Sequence, residues 1–275
     1  PSDIAQIPGI IKTLCAQRGP NERKIWETDS ECRPEEIYHT GFRLDKDHAF
    51  VVISEGCSNF CSYCVVPYTR GPLRHRGPDR IIDEIRQAVS AGITRVTLLG
   101  QNVNSYQSKG VDFAGLLEKV NEVQGLKEFS FVTSHPRDTS RHLFETMAAL
   151  DKCRKYLHLP VQSGSDRVLK LMNRGYTRKN YLDLSRDYRT IVSEGQLTTD
   201  IIVGFSTEKE EDFLDTYKLV EEVRFDAAFI FKYSPRPHSA SYGWQDDVPK
   251  EEKERRHALV LQLQKKISLS LRKKE

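Results

Sequence analysis

The chain has 275 residues, 38% of them hydrophobic and 29% charged, a balance that fits one large soluble globular domain with room for an appendage. No run approaches the roughly 18 uninterrupted apolar residues of a membrane span, and Pro1, Ser2 and Asp3 do not begin a basic-then-apolar signal segment, so a cytoplasmic, non-membrane protein is expected. The formal net charge of +3 is too mild to indicate nucleic acid by itself, and six cysteines are too few for a disulfide scaffold of this size.

In chain order, residues 1–46 carry Gly, Pro and charge with little periodicity beyond "IPGIIKTL", and read as a linker or the remnant of an amino-terminal domain. From residue 47 onward a regular alternation begins. "AFVVISE" (49–55) is a β-branched apolar run, and "PDRIIDEIRQAVSAG" (78–92) sets Ile81, Ile82, Ile85, Ala88 and Val89 on one helical stripe. Strand-like "RVTLLG" (95–100) precedes helical "DFAGLLEKVNEV" (112–123), and "EFSFVTS" (128–134) precedes "TSRHLFETMAAL" (139–150). "KYLHLPVQ" (155–162) is followed by "SDRVLKLM" and "TRKNYLDLSRDYRTIVSEG", "LTTDIIVGF" (197–205) by "EKEEDFLDTYKLVEEV", and "DAAFIFKYS" (226–234) is the sixth strand. Such βα repetition predicts an α/β fold built on a parallel sheet, a partial (β/α)6 TIM-like barrel, with a doubly wound open sheet as runner-up. From about residue 249 a charged helix with Leu259, Leu263 and Ile267 on its apolar side closes the 47–275 unit.

Active sites of parallel βα folds lie at the carboxyl ends of the strands. The first such loop holds Cys57, Cys61 and Cys64 in "SEGCSNFCSYCVVPYTRG" (54–71), while Cys15, Cys32 and Cys153 stand alone. A structural zinc site needs four ligands, and neither His48 nor His75 lies at zinc-finger spacing. Three local thiolates suit an iron–sulfur cube with one iron left open. Gln101, Ser134, Gln162, Ser163 and Asp200 stand just past later strands; any one of them is equally explained as a polar loop residue. Arg70, Arg74 and Arg76 follow the cysteines closely.

Cys-x3-Cys-x2-Cys with Tyr63 before the last cysteine, placed after the first strand of a βα chain, resembles the radical S-adenosylmethionine superfamily. The blocks "TLLGQNVNSY", "TSHPRD", "HLPVQSGSDRVLKLMNRGYTR", "TTDIIVGF" and "FKYSPRP" narrow the resemblance to the methylthiotransferases, closest to those that modify isopentenyladenosine beside the tRNA anticodon. The resemblance implies a 4Fe-4S cluster on the three cysteines and S-adenosylmethionine on its open iron. It also implies cofactor contacts from Tyr63, Gln101, Ser134, Gln162, Ser163 and Asp200, with Arg174 neutralising the cofactor carboxylate and Arg70, Arg74 and Arg76 meeting RNA phosphates. Phe60, Tyr68 and Tyr233 are candidates for stacking on bases, with core packing the competing role. The implied partners are a tRNA anticodon stem-loop, a reducing protein such as flavodoxin or ferredoxin, and a sulfur donor, with the enzyme a monomer. Family members carry an amino-terminal domain holding a second cluster and a carboxyl-terminal RNA-binding β-barrel; neither pattern is present, so the chain reads as a fragment and Cys15, Cys32 and Cys153 as ordinary thiols. "GFSTEKEEDF" departs from the family's Pro followed by Gly-Glu-Thr. A target of threonylcarbamoyladenosine or a ribosomal-protein aspartate, or a structural zinc or RNA-binding module, are the alternative readings.

Overall fold

The computed structural model describes residues 47–272, so the reading of residues 1–46, with Cys15 and Cys32, lies outside the described residues. β1 (His48–Val52), β2 (Arg95–Leu99) and β3 (Glu128–Phe131) form one parallel sheet in that order, and β4 (Tyr156–His158), β5 (Gln196–Val203) and β6 (Ala227–Lys232) form a second. A parallel bridge between Phe129 and Cys153 joins them, with Phe129 N donating to Lys152 O at 2.9 Å and Arg154 N to Phe129 O at 2.9 Å. Spatial order therefore follows chain order without the reversal that defines a doubly wound sheet. Among the described residues β1 and β6 do not pair, which leaves the barrel open on one side.

The fourth strand is shorter than its apolar run suggests. Pro160 has no N–H to give a ladder, and pairing resumes only at the bridge between Gln162 and Ile201.

A short helix that the sequence reading did not include, α1 (Val66–Arg70), lies inside the cysteine loop, and the others follow the strands as expected: α2 (Pro78–Ser90), α3 (Phe113–Asn121), α4 (Arg141–Ala149), α5 (Asp166–Leu171), α6 (Arg178–Ile191), α7 (Glu210–Val223) and α8 (Lys250–Arg272). Local chemistry starts them. Asp112 accepts from Gly115 N at 2.8 Å, Ser140 from Leu143 N at 3.3 Å, and Thr177 with Asn180 forms a capping box. Their apolar stripes meet one face of the sheets, burying Val51, Leu98, Phe129, Leu157, Ile201 and Val203 against Ile81, Ile85, Leu116, Phe144, Tyr188 and Phe213. α8 closes this layer through Val260, Leu263 and Ile267, with Gln264 Nε2 donating to Phe225 O at 2.7 Å and Arg256 paired to buried Glu208 at 2.8 Å. None of the helices among the described residues is long and apolar enough to cross a membrane.

Because side chains alternate along a strand, the residues between the core positions point to the concave face. That face is polar and hydrogen-bonded: His48 Nε2 meets Thr97 Oγ1 at 2.9 Å, Thr97 Oγ1 meets Ser130 Oγ at 2.8 Å, and His158 Nδ1 meets Thr198 Oγ1 at 3.0 Å.

Candidate functional site

The cysteine loop leaves β1 through Ser54–Glu55, which pairs antiparallel with Arg74–His75 and brings the chain back on itself. Gly56 makes the turn possible: its φ is +70°, and a Cβ there would lie 2.2 Å from Pro72 O. Cys57 N then donates to Gly71 O at 3.2 Å, and Cys64 N to Cys61 O at 2.9 Å, coiling the three cysteines into one tight segment. The loop is pinned from a distance by the end of α5, where Ser62 N donates to Met172 O at 3.1 Å and Asn173 Nδ2 to Phe60 O at 3.0 Å. Here "CSNFCSYC" meets "LMNR", more than a hundred residues later in the chain.

Cys57, Cys61 and Cys64 line one wall of a cavity of about 340 Å³. None of them forms a disulfide, and burial pushes the Cys57 and Cys64 thiols up from their ordinary value. Among the described residues no three Cys, His, Asp or Glu groups converge as ligands of a single ion; a cluster instead takes one thiolate for each iron it anchors. Arg174, 4% exposed, lies behind the cysteines: its Nη1 donates to Cys61 Sγ at 3.3 Å and to Tyr63 Oη at 3.2 Å, and its Nη2 to Pro160 O at 2.8 Å.

The opposite wall comes from the ends of the other strands. Gly100, Gln101, Thr133, Ser134, His135, Pro160, Gln162 and Asp200 all reach it. Thr133 and Gln162, just past β3 and β4, have φ of 70° and 69°. Left-handed backbone is a genuine outlier for a β-branched threonine, and such strain concentrates at binding sites. Gln101 Oε1, Ser134 Oγ and His135 Nε2 are buried without a hydrogen-bond partner. Buried polar atoms are nearly always paired, so three orphans around one cavity fit a polar ligand.

His135 Nδ1 accepts from Arg137 N at 3.2 Å, which puts the proton of the neutral ring on Nε2, the buried atom without a partner. Burial, with the Arg174 and Arg137 charges, holds its pKa down at about 2, so the ring is a neutral donor across the physiological range. Asn104 holds this loop in place, accepting from His135 N at 2.8 Å and donating to His135 O at 3.0 Å. Asp200 lies 3.4 Å from His158 Nε2.

The sequence-selected residues separate into two groups. Cys57, Cys61, Cys64, Tyr63, Gln101, Ser134, Gln162, Arg174 and Asp200 are brought together around the cavity. Ser163 is not: it is fully buried, accepts from Ser165 N at 3.2 Å and meets Thr216 Oγ1 at 3.3 Å, so it braces the loop from behind. Arg76 also departs from its expected role on RNA. Its guanidinium is buried, donating to Glu84 Oε2 at 2.7 Å and to Val52 O at 2.6 Å. Arg70 is exposed, and Arg74 lies 3.8 Å from Glu55. Tyr233 is core, its hydroxyl bonded to Ser241 Oγ at 2.8 Å, whereas Phe60 and Tyr68 are about half exposed with rings 6.1 Å apart. Cys153 is a buried thiol outside the cavity. Asn59, Thr133 and His135 also line the cavity and carry no role in the sequence reading; the adjacency of "SHPRD" to a strand end was the available signal.

The departure at "GFSTEKEEDF" is internally braced. Glu208 Oε1 accepts from Gly204 N at 2.8 Å and from Arg256 Nη1 at 2.8 Å.

Comparison with known proteins agrees with this geometry. The chain is 51% identical over 225 residues to the tRNA-2-methylthio-N(6)-dimethylallyladenosine synthase of Moorella thermoacetica, covering 81% of this chain and 51% of the relative. It is 49% identical over 269 residues to the protein of the same name from Desulfosudis oleivorans, covering 96% of this chain and 57% of the relative. The chain thus spans about half the length of the curated relatives it matches. Among solved structures, a radical S-adenosylmethionine methyltransferase from Kitasatospora setae superposes with a TM-score of 0.59 at 16% identity, over 79% of this chain and 42% of that one. Coproporphyrinogen III oxidase of Escherichia coli, described as a radical SAM enzyme, gives 0.56 at 16% identity, over 80% of this chain and 51% of that one. The family model of the radical SAM superfamily matches residues 51–220, from β1 through most of α7, and the chain belongs to that superfamily.

Proposed function

We propose that this chain is the radical SAM core of a cytoplasmic tRNA methylthiotransferase that converts N6-isopentenyladenosine beside the anticodon into its 2-methylthio derivative. The observation that carries this reading is the cavity itself: three thiols on one wall, with Gln101, Ser134 and His135, each holding a buried unpartnered polar atom, in the same lining. The names of the relatives at about half identity supply the substrate class. Cys57, Cys61 and Cys64 would anchor a 4Fe-4S cluster, and Tyr63, Gln101, Ser134, Gln162 and Asp200 would hold S-adenosylmethionine beside it. Together those groups supply the one-electron chemistry that breaks an unactivated C–H bond.

The chain's own residues bind, orient and exclude water. Arg174 keeps a buried positive charge beside the Cys61 sulfur and is positioned to balance a carboxylate. His135 offers a neutral N–H that does not titrate near pH 7. Arg70, Arg74, Phe60 and Tyr68 surround the mouth of the cysteine loop with positive charge and open aromatic faces, the combination that binds phosphates and splayed bases of a single-stranded loop. A reducing protein such as flavodoxin or ferredoxin, a sulfur donor, a second cluster in the full-length protein and a monomeric state complete the proposal.

Nucleoside analysis of tRNA from cells lacking the gene tests it. Loss of the methylthio group from isopentenyladenosine, with methylthio-threonylcarbamoyladenosine retained, is expected; retention on isopentenyladenosine would end the reading.

A further inference from the structure

A closed (β/α)8 barrel fills its interior with layers of branched apolar side chains. Here the concave face is polar along its middle and aromatic at its two edges. Phe229 and Phe231 stand on the edge strand β6 and are 57% and 52% exposed, and Phe50 on the opposite edge strand β1 is 58% exposed. Single exposed apolar residues are ordinary. Two phenylalanines at alternate positions of one edge strand lie on the same side of it and form a surface.

That surface is continuous with the cavity. Phe229 is in register with Asp200, which lines the cavity, and its ring lies 6.2 Å from that of His158. Phe231 is in register with Ile202, which packs in the same small apolar cluster as Tyr63. At the inner end of the shelf the His158–Asp200 pair, 3.4 Å apart, presents hydrogen-bonding groups. Beyond its outer end Arg236 is exposed, as is Lys232, which lies 3.5 Å from Glu254. Aromatic faces, then a polar inner edge, then cations outside, match a planar base with an apolar substituent on a polyanionic strand.

We infer that Phe229 and Phe231 are specificity-determining residues: they form the shelf on which the target adenine and its N6 prenyl group lie while His158 meets the base edge. The inference rests on the proposed function, since it takes the substrate class from it. Stacking of a base on an aromatic side chain is strong enough, by alanine substitution, to change affinity about tenfold.

The test measures anaerobic binding of the full-length, cluster-loaded protein to two synthetic anticodon stem-loops that differ only in the N6-isopentenyl group of the target adenosine. Wild type is expected to prefer the prenylated loop. F229A/F231A should bind that loop about tenfold more weakly and lose most of the preference, with S-adenosylmethionine affinity unchanged. F229Y/F231Y, which keeps the rings, should restore the preference. Unchanged binding by the alanine variant, or an equal loss on both loops, would overturn the shelf; an equal loss would mark a surface that docks RNA or another part of the protein without reading the base. Should alanine also lower cofactor affinity, the tyrosine variant decides, its loss of preference being the contrary result. A wild-type protein that neither prefers nor methylthiolates the prenylated loop would overturn the functional reading itself, a failure distinct from that of the shelf.

Discussion

Arg174→Ala removes a guanidinium that is 4% exposed and serves partners from two other parts of the chain: Cys61 and Tyr63 in the cysteine loop, and Pro160. Tyr176 Oη, which accepts from Arg174 Nε at 3.0 Å, keeps its own bond to Val161 O at 2.7 Å and suffers least. The Tyr63 hydroxyl loses its Arg174 donor and the Pro160 carbonyl keeps only the long bond from Tyr176 Oη at 3.4 Å, at about 1–3 kcal/mol for each buried polar atom that loses its partner. Relief of the desolvation carried by the buried cation offsets part of this. A net loss of about 3 kcal/mol follows, and a domain of this size shifts its melting temperature by about 2–4 °C per kcal/mol. The apo protein should therefore melt about 6–12 °C lower by circular dichroism, with Arg174→Lys intermediate because one ammonium cannot reach all the acceptors the guanidinium fork spans. A melting temperature within about 2 °C of wild type, beyond the error of the method but below any of these costs, would refute the assignment of Arg174 as the pin of the cysteine loop.

Arg76→Ala breaks a pair in which both side chains are 4% exposed, and should cost about 3–5 kcal/mol by denaturant unfolding. Arg70→Ala with Arg74→Ala should leave stability near wild type and instead lower RNA affinity, reducing the slope of log affinity on log salt by about 0.7 for each lost phosphate contact. Gly56→Ala forces a Cβ to within 2.2 Å of Pro72 O at a φ of +70°, so iron binding should be lost while far-ultraviolet dichroism keeps its helical signal. Glu252, bonded first to Arg255 and then to Arg256, has its pKa held down at about 2 from an ordinary 4.5. A depressed folded-state pKa stabilises above the unfolded value. Glu252→Gln should thus cost about 1 kcal/mol at pH 7, and the difference should vanish in melts as pH falls from about 4.5 through 2.

The six βα units were legible because the strands are β-branched apolar runs and the helices carry their own caps and stripes; α2, α3 and α4 begin and end within two residues of the expected bounds. The cysteine loop was legible from spacing alone. What the sequence hid is the direction of side chains at strand ends. Ser163 and Gln162 are neighbours with the same polar character, yet one turns behind the loop to Thr216 and the other into the cavity, because strand alternation carries them to opposite faces. Arg76 was misleading for a related reason. A cluster of arginines on a sequence says nothing of which one finds a buried carboxylate, and Glu84 becomes its neighbour only once α2 packs against β1. The polar concave face was equally hidden: Thr97, Thr198 and His158 sit in runs that read as strand core, and only the curvature of the sheet sets their side of it apart from the helix-covered core.

The most direct test of the account is the metal content of this chain after anaerobic reconstitution with iron and sulfide. The account predicts a brown protein with about four irons and four sulfides per chain, both lost when Cys57, Cys61 and Cys64 are replaced by alanine together. A colourless protein holding one zinc, or a triple variant that retains its iron, would contradict it.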